Sequence, residues 1–242
     1  MGMQRAIVIA GLAVVAVIAA FGCSGAKVTT KSSAEISHYQ VRTMALVPFT
    51  SMGTPQVLEQ SDSSLSVPQS VRRSDISFDV PTNDEPLPRR TVTVPGYAAE
   101  KVTQLFWARL KGREGLIVSS PSESGKAYAG MGTMKMSPEV AGAALAKRLK
   151  TDAALIGQVL VFQERVGSRM GASPPAAVGF EVKVVAGDGQ VLWVGNYYER
   201  QRPMTEDFTG FIQRWAFLTA EELAHYGVDS VMKEFPFGTD GK

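Results

Sequence analysis

Residues 180–198 constrain the fold more than any other stretch of the chain. Phe180, Val182 and Val184 alternate with Glu181 and Lys183, the side-chain period of a strand with one apolar and one wet face. Gly187-Asp188-Gly189 then offers the φ > 0 positions of a tight turn, and Val191 to Tyr198 returns as a second strand. The hairpin places Trp193 and Tyr197 on one face and Tyr198 on the other. Its apolar face has to be covered by another layer.

The rest of the chain supplies that layer. Met44 to Val47 is a short continuous apolar run ended by Pro48, the pattern of a central strand covered on both faces. Ala98, Val102, Leu105, Phe106 and Leu110 recur at helical spacing behind Pro95-Gly96. Gly112 to Gly115 breaks that helix, and Leu116-Ile117-Val118 reads as a second buried strand. Ser119 to Met136 reads as a loop, and Ser137-Pro138-Glu139 opens a second helix with a serine cap and proline at the first helical position. Ala153 to Val166 is a third strand, and Gly167 to Pro175 reads as a mobile link to the hairpin. Phe208, Ile212 and Trp215 keep helical spacing, and Thr219-x-x-Glu222 is a capping box whose helix carries Leu223, Tyr226, Val231 and Phe235 on its apolar side. This order predicts one α/β domain over 39–236, a layered mixed β-sheet with flanking helices, followed by a tail at 237–242.

The N-terminus carries a different signal. Met1 to Arg5 is a short basic start, Ala6 to Phe21 is apolar, and Ala20-Phe21-Gly22 precedes Cys23, the single cysteine of the chain. A basic start, an apolar run and a small residue before the cut make an export signal. The small-residue ending before cysteine resembles the lipobox of bacterial lipoproteins, with Ala20 where that group usually has Leu. The resemblance implies cleavage of residues 1–22 and lipidation of Cys23; an ordinary signal peptide with a chance cysteine, or an uncleaved anchor, is the alternative. One cysteine cannot form an internal disulfide, and acylation removes a thiol that is a liability in an oxidising compartment. In a Gram-negative source, Ser24 would permit transfer to the outer membrane, leaving the domain anchored there by lipid and facing the periplasm. Cleavage removes Arg5 and takes the formal charge from +2 to +1, so no strong field draws the protein to nucleic acid. Residues 23–38, rich in Ser, Thr, Lys and Gly, read as a flexible tether.

The segment at about 50–95 departs from the pattern of a compact domain. It is rich in Ser, Pro and Asp, poor in large apolar residues, and carries the pairs Arg72-Arg73 and Arg89-Arg90. Loops of this length are usually functional or disordered. It reads either as a solvated, mobile insertion or as a partner-binding arm that orders on contact, with Ile76 and Phe78 of a short alternating run as its docking piece. Tyr198 is a second candidate anchor, since exposed aromatic side chains are enriched at binding hot spots.

Catalytic patterns are missing. His38 and His225 are the two histidines, and neither HExxH nor Cys/His ligand spacing occurs, so neither a metal site nor a cofactor is expected. Ser230-Val231-Met232-Lys233 has S-x-x-K spacing without the accompanying S-D-N and K-T-G elements. Gly125-Lys126 lacks both the first glycine and the final Ser/Thr of a P-loop.

Three motifs carry a resemblance beyond the lipobox. Met44-Ala45-Leu46-Val47-Pro48-Phe49, Thr151-Asp152-Ala153-Ala154-Leu155-Ile156-Gly157-Gln158-Val159 and Val184-Val185-Ala186-Gly187-Asp188-Gly189-Gln190-Val191-Leu192-Trp193 resemble successive strands of envelope lipoprotein domains. These are the group of the curli secretion channel, the LpoB-type penicillin-binding-protein activators and the N-terminal domain of TolB. The resemblance implies a lipid-anchored, non-enzymatic envelope protein that binds and assists an envelope protein partner, with peptidoglycan-synthase activation or assembly as specific versions. An oligomeric secretion-channel component and a cryptic periplasmic hydrolase are the alternatives, and homo-oligomerisation stays open.

Overall fold

A computed structural model describes residues 28–54, 56–57, 91–132, 136–201 and 216–240. In chain order the elements are β1 (Val28–Ser32), β2 (Thr43–Leu46), β3 (Thr50–Ser51), β4 (Gln56–Val57), β5 (Thr91–Val92), α1 (Gly96–Leu110), β6 (Arg113–Glu114), β7 (Ile117–Ser119) and α2 (Pro121–Ala129). There follow α3 (Pro138–Leu149), β8 (Ala153–Gln163), β9 (Ala177–Ala186), β10 (Val191–Arg200), α4 (Ala220–Met232) and β11 (Thr239–Asp240). The main sheet has the order β1-β10-β9-β8-β2-β7, with β3 also on β8. The β8, β9, β10 and β1 pairings are antiparallel, whereas β2 lies parallel to both β8 and β7. The sheet is therefore mixed, as the element order predicts.

Helices cover both faces. On one side α1 and α4 pack over a large core that includes Met44, Leu46, Phe106, Leu155, Phe180, Trp193, Tyr197 and Leu223, all at most 1% exposed. On the other, α2 and α3 cover a smaller cluster of Ala45, Val47, Ala143, Leu145, Ala146, Ala154, Ile156 and Val185. β2 and β8 thus feed both cores, which explains the unbroken apolar run at Met44–Val47. Pro48 interrupts the strand, and the chain resumes its pairing with β8 at β3. The Phe49 N–H at this break is satisfied inside the core by the Thr103 hydroxyl at 2.9 Å, which itself donates to the Ala99 carbonyl.

Several expectations are corrected. The tether expected at 23–38 contains β1, in register with β10 from Val28 opposite Tyr197 to Ser32 opposite Trp193. Backbone groups on an open sheet edge accept any strand that is not proline, so a Ser/Thr/Lys-rich segment closes the edge without an apolar pattern. The tail expected at 237–242 is docked as well over its described residues, 237–240. Phe237 is buried, β11 pairs with β6, and the buried Arg113 guanidinium donates to the carbonyls of Met232, Phe235, Phe237 and Gly238. The loop expected at Ser119–Met136 contains α2, whose first turn is capped by the Ser120 hydroxyl accepting from the Glu123 N–H. Few large apolar residues mark α2, and the close packing of Gly125 on Pro48 does not show in a periodicity.

The buried strand expected at Leu116–Val118 is the edge strand β7, in which Ile117 is 73% exposed, while Leu116 just before it is buried. The third strand stops at Gln163. At the hairpin turn only Gly189 takes a positive φ, 100°, and the Gln190 N–H donates to the Asp188 carboxylate. This fits a three-residue loop ending in a left-handed glycine rather than a turn with two such positions. On α4, Tyr226 faces water, and Phe235 enters the core from beyond the end of the helix. The link expected at Gly167–Pro175 is tied by its backbone, with Ser173 N–H donating to Val166 O and Ser168 N–H to Gly171 O. The helical run through Phe208, Ile212 and Trp215 lies outside the described residues.

The insertion expected at about 50–95 is narrower than its composition suggests. β3 belongs to the main sheet, and β4 pairs with β5 in an antiparallel ladder with Val57 opposite Thr91. The segment 58–90 therefore leaves and re-enters the domain at adjacent residues. Replacing 58–90 by Asn-Gly, which joins two paired strands through a type I′ turn, is expected to leave thermal unfolding cooperative. It should raise stability by roughly 2–2.5 kcal/mol through the shorter loop; differential scanning calorimetry checks both outcomes.

Candidate interaction surface

Among the described residues, the outer face of the hairpin is the part of the sheet that the helices leave open. α3 lies over β2, β8 and β9. Beyond it a transverse polar row crosses the sheet, with Thr50 opposite Gln158, Gln158 opposite Glu181, Glu181 opposite Asn196 and Asn196 opposite Thr29. Strand alternation places all five on the side away from the large core. Lys183, next along β9 on this face, bridges the layers: its Nζ donates to Glu139 Oε1 of α3 at 2.9 Å and to Glu181 Oε1 at 2.8 Å. The Lys183 ammonium holds the Glu139 carboxyl below its ordinary range, and the hydrogen bonds to Glu181 and then Glu139 raise Lys183.

Tyr198 stands on the same face, 57% exposed. A Cβ added to Gly179 would come within 3.0 Å of the Tyr198 ring and 3.6 Å of Val161. An edge of the ring therefore sits over the bare backbone of a glycine and beside a valine. This makes an apolar spot bordered by the polar row, a combination suited to an aromatic anchor with a polar surround.

Of the other candidate residues, Cys23 and the arm residues Arg72, Arg73, Ile76, Phe78, Arg89 and Arg90 lie outside the described residues. The catalytic candidates are not brought together. His38 and His225 are exposed on separate elements, and the Ser230 hydroxyl donates to the Tyr226 carbonyl of its own helix at 2.7 Å. Among the described residues no cluster of three or more His, Cys, Asp and Glu side chains could hold a metal ion.

Two acidic residues of the sequence motifs have structural positions. Asp152, just before β8, accepts on Oδ2 from the Arg42 N–H at 2.9 Å, the Thr43 N–H at 2.8 Å and the Thr43 hydroxyl at 2.8 Å. It locks the start of β8 beside the start of β2, the parallel pair that no local turn could align. Asp188 accepts from the Gln190 N–H and from the Tyr39 hydroxyl at 2.8 Å, tying the hairpin turn to the segment after β1. The sequence marks Lys183 as a wet-face residue and Asp152 as part of a motif, but the ion pair to α3 and the alignment of β2 with β8 depend on residues 44 and 109 positions away.

No protein-family model matches the chain, and no curated protein matches it. Solved structures do. The PelC dodecamer from Paraburkholderia phytofirmans superposes at 11% identity and a TM-score of 0.43, covering 85% of this chain and 93% of that one. Lipoprotein GNA1162 from Neisseria meningitidis follows at 11% and 0.40, covering 81% and 99%. The LpoB C-terminal domain from Salmonella enterica, of the group that the sequence motifs resemble, superposes at 9% and 0.35, covering 69% and 93%.

Burial pushes the Asp152 carboxyl up, but the hydrogen bonds from Arg42 and Thr43 together outweigh it and hold the group below its ordinary value. Such a group adds stability that is present above the unfolded carboxylate pKa of about 3.9 and lost as the pH falls through the folded value. Asp152→Asn is therefore expected to unfold more easily than wild type at pH 7, by about 0.5–1 kcal/mol. The gap should close below about pH 4, which urea titrations at several pH values measure.

Proposed function

We propose that this protein is a lipid-anchored, non-enzymatic lipoprotein of the bacterial envelope that binds and assists another envelope protein. The observation that carries the reading is the N-terminal pattern: an apolar run ends at the single cysteine, and a strand of the folded domain begins five residues later at Val28. Cleavage and acylation at Cys23 would leave a water-soluble α/β domain held at a membrane surface, and no helix among the described residues is long and apolar enough to cross a membrane. Two or more acyl chains are needed for lasting attachment, since one binds only marginally.

The role in binding is supported by what the open sheet face offers. On it Lys183 pairs with Glu181 of its own strand and with Glu139 of α3, while Tyr198 sets a ring edge over Gly179 and is exposed to solvent. An aromatic side chain, with only two side-chain torsions, loses little conformational freedom when a partner covers it. Peptidoglycan-synthase activation and assembly of another envelope machine are the two specific roles compatible with such a surface.

Metabolic labelling with palmitate tests the anchor. Wild type is expected to incorporate label and fractionate with membranes, and Cys23→Ser to do neither; unchanged membrane fractionation of Cys23→Ser would refute the reading. Crosslinking in intact cells tests the surface. Tyr198→Ala is expected to reduce recovery of the crosslinked partner about tenfold or more, the scale of a hot-spot side chain, while its melting temperature stays within a degree or two of wild type. Equal recovery places the contact elsewhere.

A further inference from the structure

The strand ends show which part of the domain the anchor brings to the membrane. Gln163 at the end of β8 lies opposite Ala177 at the start of β9, and Ala177 lies opposite Arg200 at the end of β10. β1 starts at the same pole, with Val28 opposite Tyr197. The connection 164–176 projects from this pole as a hairpin of its own, bridged between Gly167 and Ala172. α4 begins here too, the Ala220 N–H donating to the Glu164 carboxylate, and so does α1, where Tyr97 stands edge-on to Phe162 with ring centroids 5.9 Å apart.

This pole concentrates exposed apolar side chains. Val166 and Met170 on the projecting hairpin are 62% and 77% exposed, and Tyr97 and Tyr198 flank it at 56% and 57%. The hairpin is braced rather than free, since Phe217 N–H donates to the Arg169 carbonyl and the Arg169 guanidinium pairs with Glu222. The carboxylates around it are occupied locally: Glu164 at the start of α4, Glu221 with Lys101, and Glu222 with Arg169 and the Thr219 N–H. Among the described residues the pole turns Val166 and Met170 outward beside the exposed Arg169, with Tyr97 and Tyr198 at its flanks; apolar side chains with tyrosine and arginine beside them suit the lipid–water boundary.

Chain length adds the second constraint. Four residues, 24–27, separate Cys23 from Val28. Five Cα steps span at most about 18 Å, and β8 lies only about 14 Å across the sheet from β1 at the usual strand spacing. An acylated Cys23 therefore keeps the start of β1 within about 18 Å of the bilayer and the hairpin within reach of it.

We propose that the hairpin 164–176 is a second membrane contact, inserting Val166 and Met170 into the lipid interface beside the acylated N-terminus. The inference rests on the acylation of Cys23. It commits to a lipid surface as the occupant because that surface is the one partner the covalent chain holds within reach. The contact is apolar, so it needs no anionic lipid and withstands salt. It also fixes the tilt of the domain, turning the far pole, with Ile117 and the Gly187–Gly189 turn, away from the membrane.

The test uses the full acylated chain, in which an introduced cysteine is the only free thiol once Cys23 carries lipid. Val166→Cys, Met170→Cys and Ile117→Cys are labelled with a polarity-sensitive fluorophore and reconstituted into phosphatidylcholine vesicles containing spin-labelled lipid. Quenching at 166 and 170 is expected to exceed that at 117 at least about twofold, and to persist in about 1 M salt. Flotation with the vesicles reads the anchor separately. A chain that floats but is quenched equally at all three positions overturns the contact and leaves the anchor standing; a chain that does not float overturns both. Protection of position 170 that needs no vesicles and grows with protein concentration identifies a second copy as the occupant and overturns the proposal. Quenching at 166 and 170 that salt abolishes overturns its apolar character.

Discussion

A line of four aromatic rings holds the layers together. Phe49 lies 5.1 Å from Phe106, Phe106 lies 5.5 Å from Phe180 and Phe180 lies 5.4 Å from Tyr197, so the rings run from the β2–β3 break through α1 and across the sheet to β10. Each end of the line presses on a glycine. Phe49 lies against Gly157 of β8 and Tyr197 against Gly227 of α4, positions where an added Cβ would collide with the ring. Large rings between close backbones give much apolar burial from few residues. They also set how closely α1 and α4 approach the sheet.

The two faces of the sheet are unequal as a result. The ring-bearing face is covered across β1, β8, β9 and β10 by α1 and α4. The opposite face carries a small core in which Ala143, Ala146 and Gly142 let α3 approach Ile156 and Ala154. Small side chains bring a helix close but cover little width, so the outer side of the hairpin keeps a polar row and one tyrosine. An antiparallel hairpin tolerates that exposure, whereas the parallel strands β2 and β8 lie between layers.

The same arrangement gathers distant parts of the chain at one pole. β1, the hairpin 164–176 and the first turns of α1 and α4 meet there because β8, β9 and β10 are long enough to carry the chain clear of the core. The far pole is held by hydrogen bonds from Asp152 and Asp188. The acidic residues of the resembling motifs thus serve strand alignment, and the features suited to contact lie on the wet face of the hairpin and at the opposite pole.

Much of this was legible in local pattern. Alternation at Phe180–Lys183 placed a hairpin with one wet face, the apolar run at Met44–Val47 placed a strand between two layers, and Ser137-Pro138 and Thr219-x-x-Glu222 marked helix starts, because each is written in side chains a few residues apart. Cys23 and its apolar leader likewise stand as a local signal. What tertiary structure alone decided depends on backbone edges and on contacts far apart in sequence. β1 joins the sheet through main-chain bonds that its Ser, Thr and Lys residues do not announce. Arg113 gathers four carbonyls more than a hundred residues away, and Val57 meets Thr91 across a segment whose composition shows no sign of the pairing. Side-chain period reports which face of an element is buried; it carries no record of which backbone that element finds as its neighbour.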